Sequence, residues 1–121
     1  MARKILTVDD SATVRQLLNM TLTDAGYDVT EAADGKQALS LVAENQFDML
    51  VTDLNMPEID GIKLIEEVRK IPGNRFMPII MLTTESHEGV RKKGKIAGAS
   101  GWIVKPFRPE QVLGVVRMVM P

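Results

Sequence analysis

The feature that most constrains the fold of this chain is a regular alternation of short apolar segments with longer amphipathic ones. The short segments are residues 4–8, 28–31, 47–52, 77–82 and 101–104. Three of them are almost continuously apolar, which is typical of strands that are buried on both faces. The longer segments repeat their apolar residues with the period of an α-helix. The chain is therefore predicted to alternate five strands with five helices.

Capping residues and glycines refine the prediction for the helices. Ser11 and Asp34 have side chains that commonly cap helix N-termini. The fourth predicted helix, about residues 87–97, is the weakest, because Gly89 and Gly94 each cost about 1 kcal/mol relative to alanine inside a helix. A helix with few strong apolar anchors opens at low cost, so we expect this helix to be a movable element.

Strands that alternate with helices predict an α/β fold. Crossovers between parallel strands are right-handed, so five such units form a doubly wound, five-stranded parallel sheet, (βα)5, with helices on both faces. The chain has 121 residues, of which 45% are hydrophobic and 26% charged, a composition typical of one compact domain. We therefore expect a single domain over residues 1–121, with no output domain. In such sheets, ligands bind beyond the carboxyl ends of the strands.

Several kinds of chemistry are excluded by the residue types of the chain. It contains no cysteine and a single histidine, His87, which excludes disulfides, thiolate metal sites and a metal site built from several histidines of one chain. The apolar stretches are far shorter than the ~18 residues of a membrane-spanning helix. Asp9 and Asp10 end the first stretch too early for a secretion signal. A cytoplasmic location without membrane contact is expected.

Polar residues stand at the ends of four predicted strands. They are Asp9 and Asp10 after the first strand, Asp53 after the third, Thr83 after the fourth and Lys105 after the fifth. In a parallel sheet these side chains meet at one edge, where three carboxylates repel one another unless a cation compensates. Carboxylate oxygens suit Mg²⁺ or Mn²⁺, and a hydroxyl with an ammonium suits a phosphoryl group. This combination predicts a phosphoryl-transfer site.

Five motifs, in matching order and spacing, resemble those of two-component response-regulator receiver domains of the single-domain chemotaxis (CheY-like) type. They are VDDSATVR at 8–15, AADGKQAL at 32–39, DMLVTDLNMPEIDG at 48–61, PIIMLTTE at 78–85 and AGASGWIVKPF at 97–107. The resemblance covers essentially the whole chain. It implies the flavodoxin-like strand order 2-1-3-4-5, which the apolar pattern alone does not specify.

The resemblance also implies roles for the acidic residues. Asp53 is expected to be the phosphoacceptor, which takes a phosphoryl group from a histidine kinase. Asp10, Asp53 and the backbone carbonyl of Asn55 are expected to bind Mg²⁺, with Mn²⁺ as an alternative. Asp9 is expected to act through a metal-bound water. The chain is thus expected to be a signalling switch that catalyses only its own phosphorylation and dephosphorylation.

Further roles follow from the resemblance for residues around the acids. Lys105 and Thr83 are expected to contact the attached phosphoryl group, and the Lys105–Pro106 peptide bond is expected to be cis. Trp102 stands at the family's switch position, where Tyr or Phe is usual, so the larger indole puts a full inward turn in doubt; simple packing is the alternative.

Asn55 and Glu85 occupy positions that tune loss of the phosphoryl group in the family. The two residues follow Asp53 and Thr83 by two positions. Amide and carboxylate side chains can both contact a hydrolytic water, and the resemblance therefore implies a short-lived phosphoryl group.

Charge is unevenly distributed along the chain. Residues 1–60 carry 11 acidic and 4 basic residues, whereas residues 61–121 carry 5 and 11. The resemblance implies that the fourth helix, fifth strand and fifth helix change on phosphorylation, and a basic surface there would suit an acidic target segment. A solvated helix face is the alternative. The candidate partner-binding residues are Arg91, Lys92, Lys95 and Trp102.

The expected partners follow from this interpretation. A sensor histidine kinase, in particular a chemotaxis kinase, would donate the phosphoryl group. The phosphorylated protein, as a monomer, would then bind the flagellar motor switch. A phosphatase is a further candidate partner, and nucleic acid is not expected. The alternatives are a phosphorelay shuttle or phosphate sink outside chemotaxis and, in other classes, a Mg²⁺-dependent phosphatase with an aspartyl nucleophile or an FMN binder. Asn55 stands where such a phosphatase needs a second aspartate, and Asp9 and Asp10 would repel the phosphate of FMN.

Overall fold

The computed structural model describes residues 2–85 and 87–121. Strands and helices alternate along the described chain without exception. The elements, in order, are β1 Lys4–Val8, α1 Ala12–Asp24, β2 Asp28–Ala32, α2 Gly35–Glu44, β3 Met49–Asp53, α3 Gly61–Lys70, β4 Ile79–Thr83, α4 Glu88–Ala97, β5 Gly101–Val104 and α5 Pro109–Val119. The predicted alternation is confirmed.

The strands form one parallel sheet in the order β2-β1-β3-β4-β5, as the resemblance implied. Side chains that alternate along each strand enter two separate hydrophobic clusters, so that Ile79 and Met81 pack on one face and Ile80 and Leu82 on the other. Helices α2, α3 and α4 cover the first face, and α1 and α5 cover the second. The sheet is therefore doubly wound, which explains why consecutive residues of its central strands are apolar.

The predicted bounds of two central strands were wrong by one or two residues. Phe47 and Met77 are buried core residues, but they precede the first paired residues of β3 and β4. At the other end, Asp53 and Thr83 belong to the strands, because Asp53 pairs with Leu82 and the backbone of Thr83 pairs with β5. Burial of a side chain and pairing of its backbone are separate properties, and the apolar pattern reports only the first.

The predicted caps are present at the first helices. Ser11 Oγ accepts a 3.3 Å hydrogen bond from the Val14 amide, and Asp34 Oδ1 accepts one of 2.8 Å from the Gln37 amide. These bonds satisfy amides that have no partner inside a helix. The cap of α1 therefore fixes where the chain turns after Asp9, at the edge of the sheet that carries the polar residues.

Candidate functional site

The carboxyl ends of β1 and β3 bring three carboxylates together. The two strands are neighbours, with Val8 paired to Thr52, so the residues that follow these two lie side by side. Ligand oxygens of Asp9, Asp10 and Asp53 lie within 4.8 Å of one another, with Asp9 and Asp53 buried and Asp10 exposed. At an effective dielectric constant of about 20, two unit charges at this distance repel by roughly 3 kcal/mol. The cluster therefore needs positive charge beside it.

Lys105 supplies part of that charge. Its Nζ donates hydrogen bonds to Asp9 Oδ2 at 2.8 Å and to Asp53 Oδ1 at 3.1 Å, and its side chain is 16% exposed. The residue directly follows β5, two strands from Asp53 in the sheet. The Lys105–Pro106 peptide bond is cis, as expected. One ammonium thus bridges two of the three carboxylates.

The hydrogen bonds distinguish the oxygens that are engaged from those that can bind a metal ion. Both oxygens of Asp9 are occupied, because Oδ1 accepts from the Ser11 amide at 2.9 Å and Oδ2 from Lys105. Within the described residues, the Asp10 carboxylate and Asp53 Oδ2 accept no hydrogen bond. These carboxylate oxygens lie close together and are negatively charged, so they are suitable ligands for Mg²⁺. The pattern supports Asp10 and Asp53 as direct ligands and a water-mediated role for Asp9.

The site shifts the protonation equilibria of two of its members. Burial raises the pKa of the Asp53 carboxyl and the Asp9 charge raises it further, although the hydrogen bond from Lys105 opposes the change. Burial by itself would lower the pKa of Lys105, but its hydrogen bonds to Asp9 and Asp53 outweigh this effect and raise the pKa. The ammonium is therefore charged at neutral pH, and Asp53 is a more basic carboxylate than usual.

Replacing Lys105 with methionine is expected to destabilise the metal-free protein by about 3 kcal/mol at pH 7, because removal of one partner leaves buried carboxylates unpaired. A carboxyl whose pKa is raised on folding binds its proton more tightly in the folded state. Stability therefore rises as the pH falls through that raised pKa toward the ordinary value of 3.8 for Asp53, and the deficit of the variant shrinks in the same window. Denaturant unfolding from pH 4 to pH 7 measures both effects.

Lys36→Met is the matched control for this variant. It removes a lysine from an exposed pair with Glu58, whose side chains are 71% and 65% exposed, and we expect it to cost less than about 0.5 kcal/mol with no such pH dependence. A Lys105→Met protein as stable as the wild type at pH 7 would contradict the prediction.

Thr83 ends β4, and Glu85 and Asn55 stand two residues beyond Thr83 and Asp53, the last residues of β4 and β3 respectively. Thr83 is buried, and its Oγ1 accepts a 2.8 Å hydrogen bond from the Glu85 amide. The hydroxyl hydrogen is donated to no described residue, which leaves it for an incoming group. The Glu85 carboxylate is 3.2 Å from the ring of His87, and Asn55 is exposed. Asn55 and Glu85 thus lie just beyond the ends of β3 and β4, and water can reach both side chains.

Arg91 on α4 and Trp102 on β5 are in contact, and neither belongs to the acidic cluster. The Arg91 guanidinium lies over the half-buried indole at 4.5 Å from the ring centroid. Both residues line a groove of about 520 Å³ between β5 and α5, together with Val104, Gln111 and Met118. Of the other predicted partner-binding residues, Lys95 lines a neighbouring cleft with Trp102, whereas Lys92 is exposed on α4 and lines neither.

Two residues that shape the acidic site were not predicted from the sequence. Arg15 donates a 2.6 Å hydrogen bond to the backbone carbonyl of Asp9, and a Cβ on Gly61 would lie 2.3 Å from the backbone oxygen of Asp53. Both residues lie inside the quoted motifs, and this was the available signal. Which backbone atom each approaches depends on how α1 and α3 pack on the sheet, and that information is not local.

A comparison with protein families matches residues 5–117 to the response regulator receiver domain. The chemotaxis protein CheY4 of Vibrio cholerae has a similar structure, with a TM-score of 0.97, 43% sequence identity and coverage of 99% of this chain and all 100% of that one. The receiver domain of a sensor histidine kinase from Pseudomonas aeruginosa, solved with magnesium in its active-site cleft, has a TM-score of 0.89 at 29% identity, and each chain is covered over 100% of its length.

A longer relative is also similar in sequence. The transcriptional regulatory protein SrrA of Staphylococcus aureus is 38% identical over 120 residues, which are 99% of this chain and 48% of that protein. The chain thus spans about half the length of the curated relatives it matches. The match to the family over residues 5–117 covers the part that is shared with these longer relatives.

Proposed function

The chain belongs to the response regulator receiver domain family, and on that premise we propose that it is a phosphorylation-switched signalling module whose phosphoacceptor is Asp53. Receiver domains are signalling switches that bind Mg²⁺ at an acidic site and interact with sensor histidine kinases. The observation that carries the proposal is the division of oxygens in the acidic cluster. Lys105 and Ser11 hold Asp9, whereas Asp10 and one oxygen of Asp53 are left for a metal ion and for chemistry.

The proposed reaction moves a phosphoryl group from a histidine of the kinase to Asp53. A carboxylate oxygen of Asp53 forms the new bond to phosphorus, the bond from phosphorus to the histidine nitrogen breaks, and that nitrogen keeps the electron pair. Asp10, Asp53 and the Asn55 carbonyl would hold Mg²⁺ or Mn²⁺, which would supply positive charge to the transferring oxygens. Lys105 can exchange its bond to Asp53 Oδ1 for one to a phosphoryl oxygen, and the Thr83 hydroxyl can donate to another.

The test is the intact mass of the protein after incubation with a small acyl phosphate at neutral pH, with Mg²⁺ or with a chelator. One added phosphoryl group is expected with Mg²⁺ and none with the chelator. Donor consumption is measured in the same tubes, so that rapid loss of the adduct is seen as Mg²⁺-dependent turnover. The absence of both adduct and turnover would overturn the proposal.

Replacing Asn55 or Glu85 with leucine is expected to lengthen the phosphoryl lifetime several-fold, because an apolar side chain can no longer contact the hydrolytic water. The decay of the adduct after removal of the donor measures this lifetime. Glu44→Leu, an exposed change at the far end of α2, is the matched control and should decay like the wild type. Decay rates unchanged in both variants would refute the role of these residues.

The groove beside Arg91 and Trp102 is the proposed output surface. Trp102 is the single tryptophan of the chain, so intrinsic fluorescence reports directly on this surface. We expect the emission to change on phosphorylation, and an acidic peptide to bind the phosphorylated form more tightly at low salt than at high salt. Arg91→Gln should weaken that binding several-fold, whereas Lys63→Gln on α3 should not. Equal binding by the Arg91 and Lys63 variants would exclude this surface.

We further propose that the protein acts in chemotaxis through the flagellar motor switch, as a monomer in the cytoplasm. Similarity to CheY4 over 99% of this chain and 100% of that chain supports the assignment to chemotaxis. Separately, no described helix has the length and hydrophobicity needed to cross a bilayer. The alternative is a receiver that shuttles or stores phosphoryl groups elsewhere. Pull-down with a motor-switch peptide against a histidine phosphotransfer domain discriminates the two roles.

A further inference from the structure

Arg15 contacts the acidic cluster through a backbone atom, the carbonyl oxygen of Asp9. Its Nη1 donates a 2.6 Å hydrogen bond to the Asp9 carbonyl oxygen, and its Nε lies 3.5 Å from Glu31 Oε1 on β2. The side chain is 20% exposed, so it is largely held inside the fold. The phosphoryl chemistry proposed above assigns it no role.

The carbonyl that Arg15 contacts belongs to the peptide group joining Asp9 to Asp10. A hydrogen bond to this oxygen fixes the plane of the peptide, and with it the direction in which the Asp10 Cα leaves the strand. A bond of 2.6 Å to a charged donor is short and strong. Arg15 therefore restrains the backbone from which the Asp10 side chain projects.

The two acids differ in how their side chains are held. The Asp9 carboxylate is bound on both oxygens, by the Ser11 amide and by Lys105, whereas the Asp10 carboxylate is exposed and bonded to no described residue. The position of Asp10 consequently depends on its backbone. Among the described residues, Arg15 is the one whose side chain donates a hydrogen bond to the oxygen of the Asp9–Asp10 peptide group.

Arg15 is itself held in place at the side away from the cluster. Glu31 pairs with it through Oε1 and accepts a 2.7 Å hydrogen bond from Asn19 Nδ2 through Oε2. The guanidinium thus brings a positive charge near the three carboxylates without occupying any of their oxygens, in contrast to Lys105.

We propose that Arg15 is a positioning residue of the Mg²⁺ site, which orients Asp10 through the Asp9 carbonyl. The proposal rests on the proposed function, in which Asp10 and Asp53 bind the metal. Residues that orient metal ligands typically change metal affinity by about 10- to 100-fold when they are replaced.

The test is the Mg²⁺ dissociation constant of the unphosphorylated protein, measured by titration calorimetry for the wild type and Arg15→Gln. Positioning predicts that the variant binds Mg²⁺ about tenfold more weakly. Charge alone predicts the opposite sign, because loss of a nearby cation would favour binding of another. Affinity that is unchanged or tighter in Arg15→Gln would overturn the proposal.

Glu31→Gln is the matched control, because it removes the ion pair of Arg15 but leaves the bond to the Asp9 carbonyl. It should bind Mg²⁺ within twofold of the wild type, and a loss equal to that of Arg15→Gln would assign the effect to packing of α1 on β2 and overturn the proposal. Arg15→Lys keeps the charge and one donor, so it should recover part of the affinity. This variant also keeps the proposal testable if Arg15→Gln does not fold.

A second readout separates positioning from chemistry. The rate of phosphorylation by a small acyl phosphate should be lower in Arg15→Gln at limiting Mg²⁺ and should return to the wild-type rate at saturating Mg²⁺; a deficit that persists at saturation contradicts the proposal. Wild-type protein that binds no Mg²⁺ would refute the proposed function as well. If the wild type binds Mg²⁺ and Arg15→Gln binds it with equal affinity, the positioning role of Arg15 alone would be refuted.

Discussion

Asp53→Asn is expected to abolish the phosphoryl adduct entirely, because a carboxamide has no anionic oxygen to attack phosphorus. The substitution keeps the shape of the side chain and an oxygen that can accept from Lys105. Because burial and the Asp9 charge raise the pKa of the Asp53 carboxyl, a neutral group is better tolerated there. The metal-free variant should therefore be more stable than the wild type at pH 7, by on the order of 1 kcal/mol. Intact mass and denaturant unfolding measure the two effects.

The opposite directions of these effects separate a chemical role from a structural one. Asp48→Asn is the matched control, since Asp48 precedes β3 at its other end, is exposed, and accepts a 2.7 Å hydrogen bond from the Lys4 amide. It should form the adduct at the wild-type rate. An adduct on Asp53→Asn, or loss of the adduct in Asp48→Asn, would show that the phosphoacceptor has been assigned wrongly.

Gly61→Ala is expected to destabilise the protein by about 3 kcal/mol and to slow its phosphorylation. An added Cβ would lie 2.3 Å from the Asp53 carbonyl oxygen and 2.9 Å from Leu54 Cα, and backbone atoms cannot move aside as a side-chain tip can. Gly61 begins α3, and its amide donates a 2.8 Å hydrogen bond to the Leu54 carbonyl. Relief of the overlap therefore requires α3 or the end of β3 to shift, and β3 carries the phosphoacceptor.

Gly114→Ala shows what the same substitution does without a close neighbour. Gly114 lies within α5, and a Cβ there meets no atom within 4 Å. Alanine should stabilise this helix by up to about 1 kcal/mol and leave phosphorylation unchanged. Thermal unfolding and the rate of adduct formation compare the two variants directly. If Gly61→Ala and Gly114→Ala had the same thermal stability and the same rate of adduct formation, the contact of α3 with β3 would not be tight.

The strands and helices were predictable because each follows from the spacing of apolar residues within its own segment. Four consecutive apolar residues in β4 predict a strand buried on two faces, and the sheet does place Ile79 and Ile80 in different clusters. Polar residues that interrupt the apolar runs predict the functional edge of the sheet, and Asp9, Asp10 and Asp53 meet there. Five motifs in order predict the family, which the match over residues 5–117 shows.

The errors arose where backbone pairing and side-chain character disagree. Asp53 and Thr83 look like loop residues because they are polar, yet each is the last residue of its strand. Phe47 and Met77 look like strand residues because they are apolar, yet they lie in the core just outside the paired segments. Hydrophobicity determines which side chains leave water, whereas the ladder of hydrogen bonds depends on the neighbouring strand.

The sequence by itself determined the alternation of elements, the doubly wound class of the sheet and the identity of the polar residues at its edge, because these depend on periodicity over a few residues. Only the tertiary structure decided which atoms meet. Lys105 reaches Asp9 across 96 positions of the chain, Arg15 reaches the Asp9 carbonyl from α1, and Arg91 covers Trp102 from α4. Such contacts depend on distances set by the packing of whole helices on the sheet, and at this site they determine which oxygens remain for the metal ion and the phosphoryl group.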